Sequence, residues 1–509
     1  MSPGLALLEE RYGTQPARLV KELSALFRAP ALDLGELRAC DPAFDVVSFV
    51  DARRRSCAAL RDRAAGLLVV TADPCDGPAQ DWVEAHVKQP FAWRVAHPRE
   101  LAAWFAEQEE GLRAMDGVAT EAPADEHGKD TPEITIDAID EAQSAVVRLV
   151  NSTLYDAMKS GASDIHLETG AAGLVVRYRV DGVLSLAASV ERADFAEQAI
   201  SRVKVMAELD IAERRVPQDG RFRARVRGRE VDFRVSIMPS AFGEDAVLRI
   251  LDKEALASRG GRLDLEGLGF EPAIAKGLRR LAAEPHGMLL VTGPTGSGKT
   301  TTLYAVISEA MTGLNKIVTI EDPVEYQLPG VLQIPVNEKK GLTFARGLRS
   351  ILRHDPDRIL VGEIRDPETA EIAVQSALTG HLVYTTVHAN NVFDVIARFQ
   401  HMRVDPYHLA SALNGVMAQR LVRVHCRGCA GRGCAECRGT GFRGRRAIAE
   451  LMVLDDELRE MIASRAPIRA LREAARAAGT GTLREAALEL IRRGETSTEE
   501  IDRVTSASA

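Results

Sequence analysis

The sequence predicts an α/β protein, and three observations support this prediction. Four apolar runs, MLLV at 288–291, KIVTI at 316–320, RILV at 358–361 and HLVYTTV at 381–387, alternate with helical segments. That alternation favours a mostly parallel sheet with helices on its faces. A strand-loop-helix pattern also surrounds the stretch GPTGSGKT, and four of the seven cysteines lie within twelve residues.

Length and composition indicate a multidomain cytosolic protein. The chain has 509 residues, and a typical domain of roughly 100 to 200 residues suggests about three or four domains. Its net charge of -8 gives no general attraction to nucleic acid or anionic lipid. We find no apolar run near the length of about 20 residues that spans a bilayer. Because cytosolic thiols stay reduced, a tight cysteine cluster there is more often a metal site than a pair of disulfides.

Composition shifts divide the chain into segments. Residues 1–115 mix helical and strand-like stretches to which no chemistry can be assigned, and we expect a separate N-terminal domain there. Residues 116–132 are acidic and poor in large apolar side chains, which is typical of a flexible linker. A helix predicted over 141–159 begins a second domain at 133–255, and glycines near 260–269 precede a third domain at 265–509.

The second domain contains a row of arginines at alternate positions. Arg221, Arg223, Arg225 and Arg227 alternate with apolar residues, and Gly228 provides a turn. A strand would place all four guanidinium groups on one face, so the pattern predicts a hairpin with a wet, basic face. The same hairpin is the sole support for a protein that moves nucleic acid, which the acidic chain as a whole disfavours.

The third domain carries a phosphate-binding loop. A strand at 288–291 runs into GPTGSGKT and then into a helix predicted over 301–311. Glycines allow backbone amides to point at phosphate oxygens, the lysine reaches the outer phosphates, and the threonine hydroxyl suits magnesium. We therefore predict a site for ATP and Mg²⁺. Its residues are Gly293, Pro294, Thr295, Gly296, Ser297, Gly298, Lys299 and Thr300.

Acidic residues follow two later strands of the same domain. The stretch TIEDPVEY brings Glu321, Asp322 and Glu325 to one strand end, and ILVGEIRD brings Glu363 to another. Carboxyl ends of parallel strands face the ligand crevice of an open α/β sheet. Phosphoryl transfer needs one carboxylate to orient water and another to hold the hydration shell of the metal. We therefore expect these acids to serve the phosphate site.

Two histidines flank the strand that follows. The stretch TGHLVYTTVHAN places His381 and His388 at its two ends. Either a structural role or contact with the γ-phosphate is consistent with this placement.

The clustered cysteines form two tandem copies of CxxCxGxG. Cys426 and Cys429 form one pair, Cys434 and Cys437 the other, and four residues separate the pairs, fewer than the common spacing of about 15 to 20. Two such turns complete a tetrahedral shell of four thiolates, which suits zinc in a structural role because no position stays open. A reducible dithiol pair or an iron–sulfur cluster is the alternative.

These motifs together resemble a known family. GPTGSGKT, TIEDPVEY, ILVGEIRDPETA and TGHLVYTTVHAN occur in the order of the Walker A motif, Asp box, Walker B-like motif and His box of the ATPases that drive type II secretion and type IV pilus assembly. SGASDIHLE at 160–168 is similar to the amino-terminal ATPase subdomain of that family. The cysteines followed by TGFRGRRAIAE at 440–450 are similar to its secretion and pilus-assembly members. The resemblance covers roughly residues 140 to 460.

The resemblance implies an architecture and an activity. It implies a RecA-like P-loop ATPase domain, preceded by a PAS-like α+β subdomain and an adaptor domain, in a homo-hexamer whose domain closure on ATP produces movement. The expected partners are inner-membrane platform and cytoplasmic-domain proteins of a secretion or pilus machine, with indirect association at the cytoplasmic face of the membrane.

The resemblance also implies roles for individual residues. Glu325 corresponds to the general base and Glu363 to the Walker B carboxylate. Four arginines match positions that present guanidinium groups to nucleotide phosphates, with a surface salt bridge as the alternative for each: Arg234, Arg249, Arg349 and Arg353.

Other functions remain open from the sequence. A DNA-translocating ATPase of the conjugation type and a catalytically idle assembly scaffold are the two alternatives to a secretion or pilus motor. The N-terminal domain lacks the paired RxGxxL-type repeats by which some pilus-extension members bind a cyclic dinucleotide, so regulation by that ligand is not supported. Which of the two machines the chain serves is not distinguished by its motifs.

Overall fold

The chain forms two compact units. The computed structural model describes residues 5, 8, 11, 16–62, 65–111, 133–135, 139, 144–252 and 263–505. The first unit extends to residue 250 without 181–183, and the second comprises 181–183 with the residues from 251 onward. The linker predicted at 116–132 lies outside the described residues, as do Gly260 and Gly261.

The first unit begins with a five-stranded sheet in the order β1-β5-β4-β3-β2. Leu60 and Val70 of its strands pack with the buried ring of Trp104 in one hydrophobic core. The strands are β1 Ala31–Leu32, β2 Asp41–Pro42, β3 Cys57–Asp62, β4 Gly66–Thr71 and β5 Ala92–Ala96. The helices are α1 Pro16–Phe27, α2 Leu34–Ala39, α3 Phe49–Arg54, α4 Gly77–His86 and α5 Pro98–Gly111. This region has its own sheet and its own core.

A seven-stranded sheet in the order β6-β10-β11-β12-β7-β8-β9 completes the first unit. Its described pairs are antiparallel for β10–β11, β12–β7 and β7–β8, and parallel for β10–β6. The strands are β6 Glu133–Ile134, β7 Ala162–Gly170, β8 Gly173–Val180, β9 Val183–Val190, β10 Gln218–Val226, β11 Arg229–Ser240 and β12 Gly243–Leu251. The helices are α6 Ala145–Ser160 and α7 Ala193–Met206.

The arginine-rich hairpin forms as predicted. In β10 the arginines are exposed while Phe222, Ala224 and Val226 are buried, so the strand has one wet face. Arg223 pairs there with Asp232 at 2.8 Å and with Glu230 at 3.5 Å. The basic face therefore carries acids of the same hairpin.

The second unit is built on a seven-stranded sheet in the order β15-β14-β16-β17-β13-β18-β19. Its registers are parallel except for β18–β19, which confirms the mostly parallel sheet predicted from the alternating apolar runs. The strands are β13 Gly287–Thr292, β14 Ile317–Glu321, β15 Leu332–Pro335, β16 Arg358–Val361, β17 Leu382–Val387, β18 Leu413–His425 and β19 Phe442–Val453.

Ten helices of the described residues accompany this sheet. They are α8 Pro272–Ala282, α9 Lys299–Ala310, α10 Phe344–Ile351, α11 Pro367–Leu378, α12 Val392–His401, α13 Pro406–Ala412, α14 Asp456–Ala463, α15 Ile468–Ala477, α16 Leu483–Arg492 and α17 Thr498–Val504. None of the helices described in either unit combines the length and the apolar character needed to cross a bilayer.

The central strand β13 is buried on both faces. Met288 and Leu290 belong to one hydrophobic core and Leu289 and Val291 to another, because successive side chains of a strand point to opposite faces. At its carboxyl end Thr292 is in register with Val387 of β17. The loops that follow β13, β14, β16 and β17 therefore leave the sheet at the same edge, which we call the loop edge.

Candidate functional site

The predicted phosphate loop connects β13 to α9 at the loop edge. Gly298 has φ 87°, a backbone conformation that favours glycine, and α9 begins at the next residue, Lys299. The Lys299 ammonium donates to the carbonyl oxygens of Gly293 at 2.8 Å and Pro294 at 3.1 Å. Burial lowers the pKa of Lys299, and the nearby Glu363 carboxylate opposes this shift. The loop thus encloses a cationic group beside a helix N-terminus, an arrangement that attracts anions.

Gln419 of β18 holds this loop from the interior of the protein. Its amide nitrogen donates to the carbonyl oxygen of Ser297 at 2.8 Å, and its amide oxygen accepts a hydrogen bond from the Thr302 hydroxyl at 2.8 Å. Gln419 is buried, and a Cβ on Gly298 would lie 3.0 Å from its amide nitrogen. Gln419 belongs to none of the sequence motifs, although a glutamine in the apolar run VMAQ at 416–419 is an unusual polar position.

Glu363 and His388 meet beside Lys299. Glu363, which follows β16 and is largely buried, pairs with Arg365 and lies 3.3 Å from Nε2 of His388. Burial and the charge of Lys299 lower the pKa of His388, while Glu363 partly opposes them. Three strand ends bring Lys299, Glu363 and His388 together, and Arg365 is a cation that the sequence analysis did not select.

Glu321 does not face the ligand crevice, contrary to expectation. Its carboxylate is buried and accepts hydrogen bonds from the hydroxyls of Tyr304 and Thr319, the latter at 2.6 Å. Glu321 and Thr319 share one face of β14 because they are two residues apart, and that face packs toward Tyr304 of α9. Glu325 lies farther along, on the loop after β14, and is partly exposed.

His381 also lies away from the phosphate loop. It precedes β17, and its carbonyl oxygen accepts a hydrogen bond from the amide of Gly287, which begins β13. The six residues of β17, rising about 3.3 Å each, put it roughly 20 Å from the loop edge. Its Nδ1 lies 3.0 Å from the Ser376 carbonyl oxygen, a structural contact. Of the two roles that the sequence left open for His381, these contacts favour the structural one.

The four predicted arginines divide between the two compact units. Arg349 is exposed and pairs with Glu368 at 2.6 Å, and the exposed Arg353 donates to the carbonyl oxygen of Arg349 at 3.0 Å. Arg234 and Arg249 belong to the first compact unit, whereas the phosphate loop belongs to the second. Arg249 lies 3.0 Å from Asp164.

The four cysteines converge on one point. Their sulfur atoms all lie within 4.8 Å of one another, with Cys426–Cys434 at 3.8 Å and Cys429–Cys437 at 3.7 Å. A tetrahedron with metal–sulfur bonds of about 2.3 Å has edges of about 3.8 Å, so these sulfurs fit a zinc ion. Among the described residues, these cysteines form the only group of at least three potential metal ligands.

Backbone amides of two glycines donate hydrogen bonds to the sulfurs. The amide of Gly433 lies 3.2 Å from the Cys429 sulfur and that of Gly441 lies 3.3 Å from the Cys437 sulfur. Burial raises the pKa of the Cys437 thiol, but the amide hydrogen bonds from Cys434 and Gly441 outweigh it and hold the pKa at about 6. Cys437 is therefore prepared to present a thiolate, whereas burial raises the pKa of Cys426.

Glu500 ties the base of this cysteine element to the last helix, α17. Its side chain is fully buried and lies 2.7 Å from the guanidinium of Arg423 and 2.6 Å from that of Arg503. It also accepts a hydrogen bond from the Arg423 amide at 3.0 Å. Two residues farther along β18, the His425 amide donates to the carbonyl oxygen of Glu495 at 2.7 Å. The strand that enters the cysteine element is thus held by the residues around α17.

Comparison with known proteins gives two family matches. Residues 140–503 match a family model described as type II/IV secretion system protein, and residues 27–114 match one described as MshEN domain. The first match covers more than half of the chain. The second covers most of the N-terminal domain to which the sequence analysis assigned no chemistry.

Curated relatives and a solved structure extend these matches. The chain is 48% identical over 414 residues to type II secretion system protein HxcR of Pseudomonas aeruginosa, covering 80% of this chain and 87% of that protein. It is 46% identical over 393 residues to type II secretion system ATPase E of Vibrio cholerae, covering 72% and 77% respectively. The ATPase DotB of Legionella pneumophila has a similar fold, with a TM-score of 0.55 at 22% identity, over 76% of this chain and 98% of that one.

Proposed function

This chain is an ATPase of the type II/IV secretion system protein family, and from that premise we propose that it powers pseudopilus assembly in type II protein secretion. The relatives described above are named type II secretion system proteins and are matched over most of their length. The main structural support for ATP hydrolysis at this site is that Lys299, Glu363 and His388 come together from three strand ends. Type IV pilus assembly is the alternative machine.

The residues of the site divide the work of hydrolysis. The amides of residues 293–300 and the Lys299 ammonium bind the phosphates, and Glu363 orients water around the metal. Magnesium, when bound near Thr300, neutralises charge on the outer phosphate oxygens. Glu325 acts as the general base that positions the attacking water, and His388 lies beside Glu363 to contact the γ-phosphate.

The cysteine element serves as a structural zinc site. The sulfur spacing supports zinc, and four thiolates leave no coordination position open for catalysis. Its short spacer keeps the metal close to the ends of β18 and β19. The zinc would therefore brace the hairpin formed by these two strands.

We assign the assembly and its partners on the same premise. The subunits form a homo-hexamer at the cytoplasmic face of the inner membrane, with a PAS-like subdomain at 133–255 and a RecA-like domain at 265–509. The arginines dispersed over the chain, Arg234, Arg249, Arg349 and Arg353, contact nucleotide phosphates only when domains and subunits assemble. The N-terminal domain at 1–115 docks onto inner-membrane platform and cytoplasmic-domain proteins.

Translocation of nucleic acid receives less support than a protein-secretion motor. The hairpin that suggested it has Asp232 and Glu230 beside Arg223, which reduces its positive field. A polynucleotide that stimulated hydrolysis in a salt-sensitive manner would reverse this preference.

Replacement of the proposed general base tests the assignment. In Glu325→Gln we expect kcat for ATP to fall about 100-fold or more, because the amide cannot accept the proton, while MgATP binding is retained. The matched control is Glu371→Gln, an exposed acid on α11, which should hydrolyse ATP at the normal rate. Steady-state phosphate release and nucleotide titration give both quantities. Normal turnover by Glu325→Gln would contradict the proposed role.

A further inference from the structure

A buried polar cluster lies between the phosphate-binding helix α9 and the loop that carries Glu325. Its members are Tyr304 of α9, Glu321 of β14 and Gln333 of β15. Tyr304 is fully buried and Glu321 almost so. No ion pair to Glu321 occurs within the described part of the chain, so hydrogen bonds alone satisfy its carboxylate. Buried polar groups with this many partners fix geometry strongly.

The hydroxyl of Tyr304 is the centre of the cluster. It donates to the carboxylate of Glu321 and accepts from the amide nitrogen of Gln333 at 3.2 Å. The backbone of Glu325 lies near the same hydroxyl and opposes the rise in its pKa. The Tyr304 hydroxyl therefore acts both as a donor and as an acceptor, which ties α9 to β14 and to β15. Burial, followed by the hydrogen bond to Glu321, raises the pKa of Tyr304 and keeps it a donor.

Gln333 holds the same loop from the neighbouring strand. Its amide oxygen accepts from the Leu328 amide at 2.7 Å, and its amide nitrogen lies 3.2 Å from the Tyr326 carbonyl oxygen and from Glu321. The ring of Tyr326 packs edge-on against that of Tyr304, with centroids 4.5 Å apart. Both sides of the loop bearing Glu325 are therefore fixed to buried groups.

The position of Tyr304 links this loop to the nucleotide site. Tyr304 lies four residues beyond Thr300, about one helical turn, so the two side chains share a face of α9. We propose that Tyr304 is a positioning residue whose hydroxyl, with Glu321 and Gln333, sets the Glu325 loop relative to the phosphate-binding helix. This inference rests on the proposed role of Glu325 as general base. It also gives buried Glu321 a function other than direct contact with nucleotide or metal.

The matched pair Tyr304→Phe and Tyr326→Phe tests the proposal. Both changes remove one hydroxyl and keep the ring, but the buried hydroxyl of Tyr326 has no hydrogen-bond partner among the described residues. We expect Tyr304→Phe to lower kcat roughly 10- to 100-fold with KM for ATP changed less than about twofold, because a misplaced base affects chemistry more than binding. Tyr326→Phe should retain normal kcat. Equal kcat values for the two variants would overturn the proposal.

A double-mutant cycle distinguishes positioning from general damage. If Tyr304 acts through Glu325, Tyr304→Phe should change the residual single-turnover rate of Glu325→Gln by less than about twofold. Multiplicative losses would show that Tyr304 acts independently and would overturn the inference.

Should Tyr304→Phe not fold, Gln333→Met provides the second test, with a reduced kcat expected and an unchanged kcat overturning the proposal. Failure of the proposed function is distinct, because Glu325→Gln itself would then retain turnover.

Discussion

The phosphate loop and the cysteine element are both glycine-rich turns, but they differ in how their groups are satisfied. In the cysteine element, the amides of Gly433 and Gly441 donate to sulfurs that bind the metal as thiolates. In the phosphate loop, the Lys299 ammonium donates to the neutral carbonyl oxygens of Gly293 and Pro294, which phosphate oxygens would replace. The comparison shows how similar backbone chemistry suits a permanent ligand in one place and an exchangeable ligand in another.

Both turns depend on strand β18. Gln419 in the middle of the strand contacts the phosphate loop, and Cys426 follows directly after the strand ends. The Arg423–Glu500 pair lies between these points. The comparison can therefore be tested with variants that affect one turn and leave the other intact.

The largest expected effect is loss of ATP turnover when a residue of the phosphate loop is replaced. Lys299→Ala should lower kcat about 100- to 1,000-fold, because it removes the charge that stabilises the outer phosphates. Zinc content should be unaffected because the sulfur cluster is separate. Phosphate release and metal analysis of the same preparation measure both. If protein secretion survived in cells while turnover was lost, the motor function would be contradicted.

The converse change should affect structure more than chemistry. Cys429→Ser should abolish zinc binding and lower the thermal unfolding midpoint by several degrees, while kcat of the folded protein stays within a few-fold. The control Cys75→Ser lies outside the cluster and should retain one zinc per chain. Full zinc occupancy in Cys429→Ser would contradict the assigned ligand set. Scanning calorimetry and metal analysis provide the readouts.

A smaller effect is expected where β18 touches the phosphate loop. Gln419→Leu removes two buried hydrogen bonds and leaves the Ser297 carbonyl and the Thr302 hydroxyl without that partner. At about 1–3 kcal/mol for such losses, we expect the Kd for MgADP to rise about tenfold. The exposed Gln400→Leu on α12 is the control and should bind normally. Unchanged affinity for Gln419→Leu, measured by calorimetry, would show that the loop holds its shape alone.

The smallest expected effect is the change in the free energy of unfolding when His388, at the loop edge, is protonated. Because burial and Lys299 lower the pKa of His388 from its ordinary 6.5, the unfolded chain binds the proton more readily than the folded one. The contribution of His388 to the free energy of unfolding is thus complete above pH 6.5 and is lost as the pH falls below it. Half of the side chain is exposed, so the effect is small. An NMR titration assigned with His388→Gln should give a midpoint below 6.5, and a midpoint above it would contradict the geometry.

Motifs and periodicity predicted the main features of the second unit. The parallel sheet follows from alternating apolar runs, and the cysteine cluster follows from residue type and spacing. The direction in which a side chain points was harder to predict from the sequence, as Glu321 shows. It ends a strand as expected, yet the register turns its carboxylate inward toward Tyr304. Which face of a strand packs against a helix depends on partners distant in sequence.

Residues without a motif were also missed. Gln419 lies in an apolar strand, and only the structure shows that its amide contacts Ser297 of the phosphate loop. The sequence placed His381 and His388 at opposite ends of one strand, but only the structure shows that His388 is at the end near the phosphate loop. For the N-terminal domain, the sequence indicated helices and strands but no chemistry, and residues 27–114 match a family model described as MshEN domain.

The buried Glu500 has a practical consequence for producing shortened or labelled forms of the chain. Deleting the residues from about 498 onward would remove the Glu500 carboxylate that pairs with the Arg423 guanidinium. Loss of one partner of a buried ion pair lowers the free energy of unfolding by about 3–5 kcal/mol. Purification tags and fluorophores are therefore better attached after Thr505 than substituted for the final helix.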